Sequence, residues 1–129
     1  MTSPEFLNHL AREAVDSAVA VHSALGPGLL ESTYQACLAH ELRKRGQELR
    51  TEVGLPVTYD GVKLEVGYRI DILVAGGLII EVKSIEAIAP IHRAQLLSYL
   101  RLSGCRLGLL LNFNVPLMKD GIVRMVNGL

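Results

Sequence analysis

The spacing of apolar positions changes several times along the chain, and each change predicts a different secondary-structure element. Between Pro4 and Leu25, apolar residues recur every three or four positions, which predicts an amphipathic helix. A second helix is expected from Pro27 to the break at Gly46, because proline suits a first helical turn. After Gly46 the period falls to two, which is typical of strands.

The remainder of the chain combines a hairpin with shorter and more apolar segments. A tight turn at Asp60-Gly61 is expected between a strand over 49–59 and its partner over 62–66, with Pro56 marking a bulge or a sheet edge. The other expected elements are strands over 68–74, 78–83, 107–113 and 122–126 and a helix over 90–103. This order predicts a single α/β domain over residues 1–129, with a mixed central sheet flanked by helices.

Composition and charge narrow the range of functions by exclusion. Thirteen basic and thirteen acidic residues give zero formal net charge, so no global positive field is available to hold nucleic acid. Cys37 and Cys105 belong to no CxxC or Cys/His cluster, which argues against a structural zinc site. Neither a signal peptide nor a run of roughly 18 apolar residues is present, so we expect a cytoplasmic protein without a membrane span.

Two acidic residues, Asp71 and Glu81, flank the Gly76-Gly77 bend, and the strand register decides whether they cooperate. A three-residue loop over 75–77 places Asp71 opposite Glu81, with Lys83 on the same face. The apolar residues favour this register, because it gathers six of them on the other face: Ile70, Ile72, Val74, Leu78, Ile80 and Val82.

Carboxylates and a lysine on largely apolar strands need partners, because an isolated buried charge is very costly. A hard divalent cation is one solution, and oxygen ligands without clustered Cys or His favour Mg²⁺ or Mn²⁺. The alternative is that Asp71 and Glu81 form ion pairs with Arg69 and Lys83 at a solvated end of the sheet. The residues alone leave both interpretations open.

Four segments extend this pattern over nearly the whole chain: GLLESTY at 28–34, YRIDILV at 68–74, EVK at 81–83 and QLLSY at 95–99. In this order and spacing they resemble the GxxExxY family of the PD-(D/E)XK nuclease superfamily. The resemblance implies a restriction-endonuclease-like α/β sandwich. It departs from the superfamily pattern at Ile70, where the name has proline, while the acidic residue that follows stays in place.

The resemblance also assigns metal ligands and a catalytic lysine. It implies that Asp71 and Glu81 ligate Mg²⁺ or Mn²⁺, that the backbone carbonyl of Val82 and the carboxylate of Glu31 add ligands, and that Lys83 is catalytic. For Glu31 an alternative stays open, because a carboxylate in a first helical turn is favoured by the helix dipole whatever else it does.

A helix over 90–103 carries the last implied site residues. Gln95 and Tyr99 match the QxxxY element of RecB-type nucleases, which implies that they orient water, metal ligands or the nucleic-acid backbone. His92 lies three residues before Gln95 and is a candidate for phosphate contact. An ordinary helix surface is the alternative for all three, and Tyr34 is interpreted as a core aromatic rather than a catalytic group.

Together these features predict a divalent-metal-dependent nuclease acting on DNA. The alternative is a non-catalytic nucleic-acid-binding or assembly module that retains the nuclease fold, which the neutral charge favours. A homodimer is expected, because two copies of so small a unit would widen the substrate channel. Aromatic residues are few and tryptophan is absent, so the sequence gives no sign of a platform for stacking bases.

Overall fold

The computed structural model describes residues 3–129, which form three α-helices and five strands. In chain order these are α1 (Pro4–Leu25), α2 (Glu31–Lys44), β1 (Leu49–Tyr59), β2 (Val62–Val74), β3 (Leu78–Lys83), α3 (Pro90–Ser103), β4 (Leu107–Asn112) and β5 (Ile122–Val126). A 3₁₀ turn over Met118–Gly121, which the sequence pattern did not predict, precedes β5. Of the described helices, none is both long and apolar enough to cross a membrane.

The five strands form one sheet in the order β1-β2-β3-β4-β5. All neighbours are antiparallel except β3 and β4, which run parallel and are connected through α3. Helices α1 and α2 pack on one face, and α3 packs on the other. This arrangement confirms the predicted α/β sandwich with a mixed sheet.

Strands β3 and β4 form the centre of the sheet because their side chains are apolar on both faces. All of β4 and all of β3 except Lys83 are buried. The core between the sheet and the first two helices includes Tyr34 of α2, whose ring stacks on Phe113 with centroids 4.6 Å apart. Tyr34 is therefore a core aromatic, as expected.

The hairpin differs from its predicted form in one respect, because β2 is a single strand of 13 residues rather than two shorter ones. Leu55 pairs with Tyr68 and Val57 with Leu64, so two steps along β1 match four along β2. Gly67, with φ +85°, lies inside this bulge. Pro56 lies opposite the bulge, as expected of a residue without an N–H to donate.

Helix α2 begins at Glu31 rather than near Pro27, which corrects the predicted start. Gly26 and Gly28 have φ of +69° and +98°, values that no right-handed helix contains. The hydroxyl of Tyr34 donates a hydrogen bond to the carbonyl of Gly26 and accepts one from the N–H of Leu29 at 3.1 Å. These contacts fix the loop that leads into Glu31.

The expectation for Ile70 is wrong, because this side chain packs on the α3 side with Leu73. Ile72 and Val74 pack with α1 and α2, as expected. The alternation of faces along β2 therefore breaks between Ile70 and Ile72. Glu52, with φ +52°, lies at the same level of β1, between the residues that pair with Ile70 and Ile72.

Candidate active site

Strands β2 and β3 separate at the point where the acidic residues begin. Their backbone pairing runs from Val74–Leu78 to Ile72–Ile80, in the register predicted from the sequence. At the next position the N–H of Asp71 donates to Glu81 Oε2 at 2.8 Å. The N–H of Val82 donates to Asp71 Oδ2, also at 2.8 Å. Each carboxylate is thus held by the backbone of the opposite strand.

Burial dominates the electrostatics of these two carboxylates. Glu81 is only 5% exposed, and this burial, reinforced by the charge of Asp71, raises the pKa of Glu81 to about 8. Burial also raises the pKa of Asp71, although the N–H donated by Val82 opposes the shift. Within residues 3–129 neither carboxylate forms an ion pair, so the alternative of pairing with Arg69 and Lys83 is wrong.

Lys83 ends β3 close to the two acids. Its positive charge opposes the rise in the pKa of both Asp71 and Glu81. Its backbone carbonyl accepts the N–H of Phe113 at 2.9 Å, and it pairs with Asn112 in the register of β3 and β4. The backbone of Lys83 is therefore fixed by pairing with β4, while its side chain is partly exposed.

Asn112 is a site-supporting residue that the sequence reasoning missed. Its side chain is buried, and Oδ1 accepts the N–H of Ile85 at 3.1 Å while Nδ2 donates to the carbonyl of Ile85 at 3.0 Å. This double contact holds the loop that follows Lys83. The available signal was a polar residue at the end of an otherwise apolar, buried strand.

Glu31 lies at the same end of the sheet, within hydrogen-bonding distance of Ser84, the residue after Lys83. Glu31 Oε1 accepts the N–H of Ser84 at 3.3 Å, and Ser84 Oγ donates to the carbonyl of Leu29 at 2.6 Å. The charge of Glu31 also contributes to the raised pKa of Asp71. Glu31 thus approaches the acid pair from α2, while Asp71 and Glu81 approach from the sheet.

The donor set suits a divalent cation that takes few protein ligands. In the described part of the chain, no three Asp, Glu, His or Cys side chains are arranged to hold a metal ion together. Mg²⁺ commonly needs only one or two carboxylates, with waters and phosphate oxygens completing its octahedron. Asp71 and Glu81 each give one oxygen to a backbone N–H, which leaves Oδ1 and Oε1 as donors for such an ion.

Two further polar residues next to the site escaped the sequence reasoning. Gln35 Nε2 donates to Glu52 Oε1 at 3.1 Å and to the backbone carbonyl of Asp71 at 3.4 Å. The charge of Glu52 raises the pKa of both acids. If the pairing at the Asp60-Gly61 turn continued without a bulge, Glu52 would lie opposite Arg69. The bulge shifts the register by two residues, so Glu52 lies opposite Asp71 instead.

The residues predicted on α3 border a cleft of about 580 Å³ that also includes Lys83. Gln95 and Tyr99 line this cleft, and so does His92. Burial raises the pKa of the Tyr99 phenol, and the negative charges of Glu81 and Asp71 add to the shift. The structure therefore brings the QxxxY residues of α3 to the same side of the sheet as the acid pair.

The fold and this arrangement define a restriction-endonuclease-like protein, in which two acids and a following lysine lie where two strands separate. A family model described as the PD-(D/E)XK nuclease superfamily matches residues 8–125, and the chain belongs to that superfamily. Comparison with curated proteins gave no match, and comparison with solved structures gave none either. Membership suggests a nuclease and implies a nucleic-acid substrate, and enzymes of this superfamily generally use divalent metals.

Proposed function

We propose that the chain is a Mg²⁺- or Mn²⁺-dependent nuclease that hydrolyses phosphodiester bonds in DNA. The observation that carries the proposal is the pair of carboxylates at the separated ends of β2 and β3, each fixed by a backbone N–H of the other strand. Within the superfamily, the motif spacing favours the GxxExxY family. We further propose that the whole chain is one domain, of which residues 1 and 2 lie outside the described range.

The metal would be held by Asp71 and Glu81, with the backbone carbonyl of Val82 and the carboxylate of Glu31 as further ligands. When bound, a divalent ion supplies positive charge for the phosphate in the transition state and makes a nearby water easier to deprotonate. Because burial raises the pKa of Glu81 to about 8, the metal-free pair carries less than its full negative charge at neutral pH. Binding of the cation must therefore release a proton.

The lysine and the α3 residues would act on the substrate and on water. Lys83 would neutralise charge that develops on the scissile phosphate. This role is supported by its place in the cleft lining and by the effect of its charge on the pKa of both acids. Gln95 and Tyr99 would orient the attacking water or the phosphate backbone from the other side of the cleft. Both are positioned by α3, which packs on the sheet through Leu96 and Leu100.

Cleavage of linear and circular DNA in the presence of Mn²⁺ or Mg²⁺ tests the proposal. Asp71→Asn and Lys83→Ala should each lower the rate by at least about a hundredfold, as expected when a group that stabilises transition-state charge is lost. Lys63→Ala is the matched control, because Lys63 is an exposed lysine on the hairpin paired only with Glu65 at 3.7 Å. Cleavage that persists in both site variants would contradict the proposal.

A non-catalytic nucleic-acid-binding or assembly module is the second candidate. It is favoured by the acid pair, because both carboxylates already accept hydrogen bonds from backbone N–H groups. Such a module would bind DNA in a salt-sensitive manner with no dependence on Mn²⁺ and no turnover. Metal-stimulated cleavage that is lost in Asp71→Asn would exclude it.

We also propose a homodimer, which would bring two such sites into one assembly. Light scattering at working concentration tests this directly, and the expected mass is twice the 14.0 kDa of the chain. A mass of one chain at every concentration tested would contradict the dimer and leave the proposed chemistry unchanged.

A further inference from the structure

The cleft beside Lys83 is partly apolar, which a site for phosphate alone would not require. Its walls come from the hairpin and from α3, and they include Val57, Tyr68, Ile91 and Leu102. Ile91 is 70% exposed, although an isoleucine normally lies in a core. The volume of the cleft, about 580 Å³, lies within the range of roughly 300–1,000 Å³ that small-molecule pockets occupy. Such a cleft can enclose a nucleotide but not a duplex.

Two tyrosines meet in this cleft although they are distant in the sequence. The rings of Tyr68 and Tyr99 are tilted by 58° with centroids 6.1 Å apart, a geometry that aromatic pairs favour. Tyr99 is buried, whereas Tyr68 remains 46% exposed. The buried ring thus holds the exposed one in place beside Lys83. The scarcity of aromatic residues in the sequence concealed this arrangement.

The polar groups that line the cleft are donors that suit a phosphate or the edge of a base. Besides the two tyrosine hydroxyls, they comprise Lys83, His92, Gln95 and Ser98, and no Asp or Glu lines the cleft among residues 3–129. His92 Nδ1 accepts the N–H of Ala89 at 2.9 Å, so a neutral imidazole carries its proton on Nε2. His92 can therefore donate from Nε2 while its ring is fixed at the start of α3.

We infer that this cleft holds an unpaired nucleobase of the DNA substrate, stacked on Tyr68, next to the phosphate that Lys83 contacts. The substrate class is then single-stranded DNA or an unpaired end rather than an intact duplex. Stacking accounts for binding that the neutral chain cannot obtain from a general positive field, because every base has an aromatic face. This inference rests on the proposed nuclease function.

The affinity for oligonucleotides, measured by fluorescence anisotropy without divalent metal, tests the inference separately from cleavage. The wild-type chain should bind a labelled oligothymidine more tightly than a blunt hairpin duplex. Tyr68→Ala should weaken binding of the oligothymidine about tenfold, since stacking on one aromatic ring is lost. Tyr68→Phe keeps the ring and should bind within about twofold of wild type.

Tyr59→Ala is the matched control, because Tyr59 is a tyrosine of the same hairpin that lies 73% exposed near its turn and does not line the cleft. Equal losses in Tyr59→Ala and Tyr68→Ala, or a wild-type preference for the duplex, would overturn the inference. Tighter binding of oligouridine than of oligothymidine would overturn its assignment to DNA. A dimer that dissociates in Tyr68→Ala with unchanged oligonucleotide affinity would assign the cleft to a second copy of the chain instead.

Failure of the inference and failure of the proposed function give different results. Cleavage that depends on Asp71 and Lys83, combined with unchanged binding in Tyr68→Ala, overturns the stacking role and leaves the nuclease intact. Binding that depends on Tyr68, with no cleavage of any DNA, supports the cleft assignment and contradicts the catalytic proposal.

Discussion

The two ends of the β2–β3 hairpin are held together in different ways. Near the turn, the strands are joined by a backbone ladder, and Ile72, Ile80 and Leu78 are fully buried in the core. At the open end the ladder stops, and the carboxylates of Asp71 and Glu81 take the backbone N–H groups instead. The comparison indicates that the turn end maintains the fold, whereas the open end holds two acidic side chains in fixed positions through backbone N–H groups.

The largest expected effect is a loss of stability at the turn end. Ile80→Ala should lower the free energy of unfolding by about 2–5 kcal/mol, because it removes fully buried methyl and methylene groups and leaves a cavity. Chemical denaturation followed by circular dichroism measures this value. Ile91→Ala, at an exposed isoleucine, should change stability by less than about 0.5 kcal/mol. Equal effects in the two variants would contradict the assignment of stability to the turn end.

The second prediction concerns pH at the open end. The pKa of Glu81 is raised from its ordinary value of 4.5 to about 8, so the folded state keeps a proton that the unfolded state has already lost in this interval. The free energy of unfolding of the metal-free protein should therefore fall as pH rises from 4.5 to about 8. The raised pKa of Asp71 acts in the same direction. The total should be on the order of a few kcal/mol.

Glu81→Gln removes the titrating group and should flatten most of this pH dependence. Denaturation at several pH values across the interval measures the slope. Glu65→Gln is the control, because Glu65 is an exposed carboxylate on β2, the strand that carries Asp71, and the substitution should leave the slope unchanged. A wild-type slope in Glu81→Gln would contradict the claim that Glu81 keeps its proton in the folded state.

The smallest effect is expected at Asn112, which supports the open end from β4. Asn112→Ala leaves the N–H of Ile85 without its partner and should cost about 1–3 kcal/mol. The carbonyl of Ile85 loses its 3.0 Å contact with Asn112 and keeps a 3.3 Å contact with Asn114 Nδ2. Hydrogen exchange at the Ile85 amide should accelerate in this variant. Asn127→Ala is the control, since Asn127 Nδ2 makes a longer 3.4 Å contact with the carbonyl of Cys105. Unchanged exchange at Ile85 would contradict the supporting role of Asn112.

The fold was predictable from the sequence because periodicity and turn residues specify local structure. Five of the eight helices and strands have the expected bounds, and β4 ends one residue earlier than expected. The register of β2 and β3 followed from the burial of alternating apolar residues. The bulge at Pro56 shifted the β1–β2 register by two residues, which no tight-turn signal encodes. That shift explains why Glu52 was not foreseen beside Asp71. The reversal of the Ile70 face has a different origin, because a shift of two residues keeps every side chain on its face.

The proximity of Asp71, Glu81 and Lys83 was predictable because all three lie on one hairpin. The sequence also placed Gln95 and Tyr99 near them, through the resemblance to known nucleases rather than through spacing. The supporting residues Gln35 and Asn112 depend on how distant elements pack, and the meeting of Tyr68 with Tyr99 depends on the sheet and α3 together. Such contacts between distant segments leave no periodic signal in one sequence.

The most direct test of the account is Mn²⁺ binding measured by isothermal titration calorimetry near pH 8. The wild-type chain should bind Mn²⁺, and Asp71→Asn should weaken this affinity at least about tenfold, because a carboxylate ligand is lost. Glu65→Gln should bind as the wild type does. Equal Mn²⁺ affinity in wild type and Asp71→Asn would contradict the claim that the carboxylates of β2 and β3 share a metal ion.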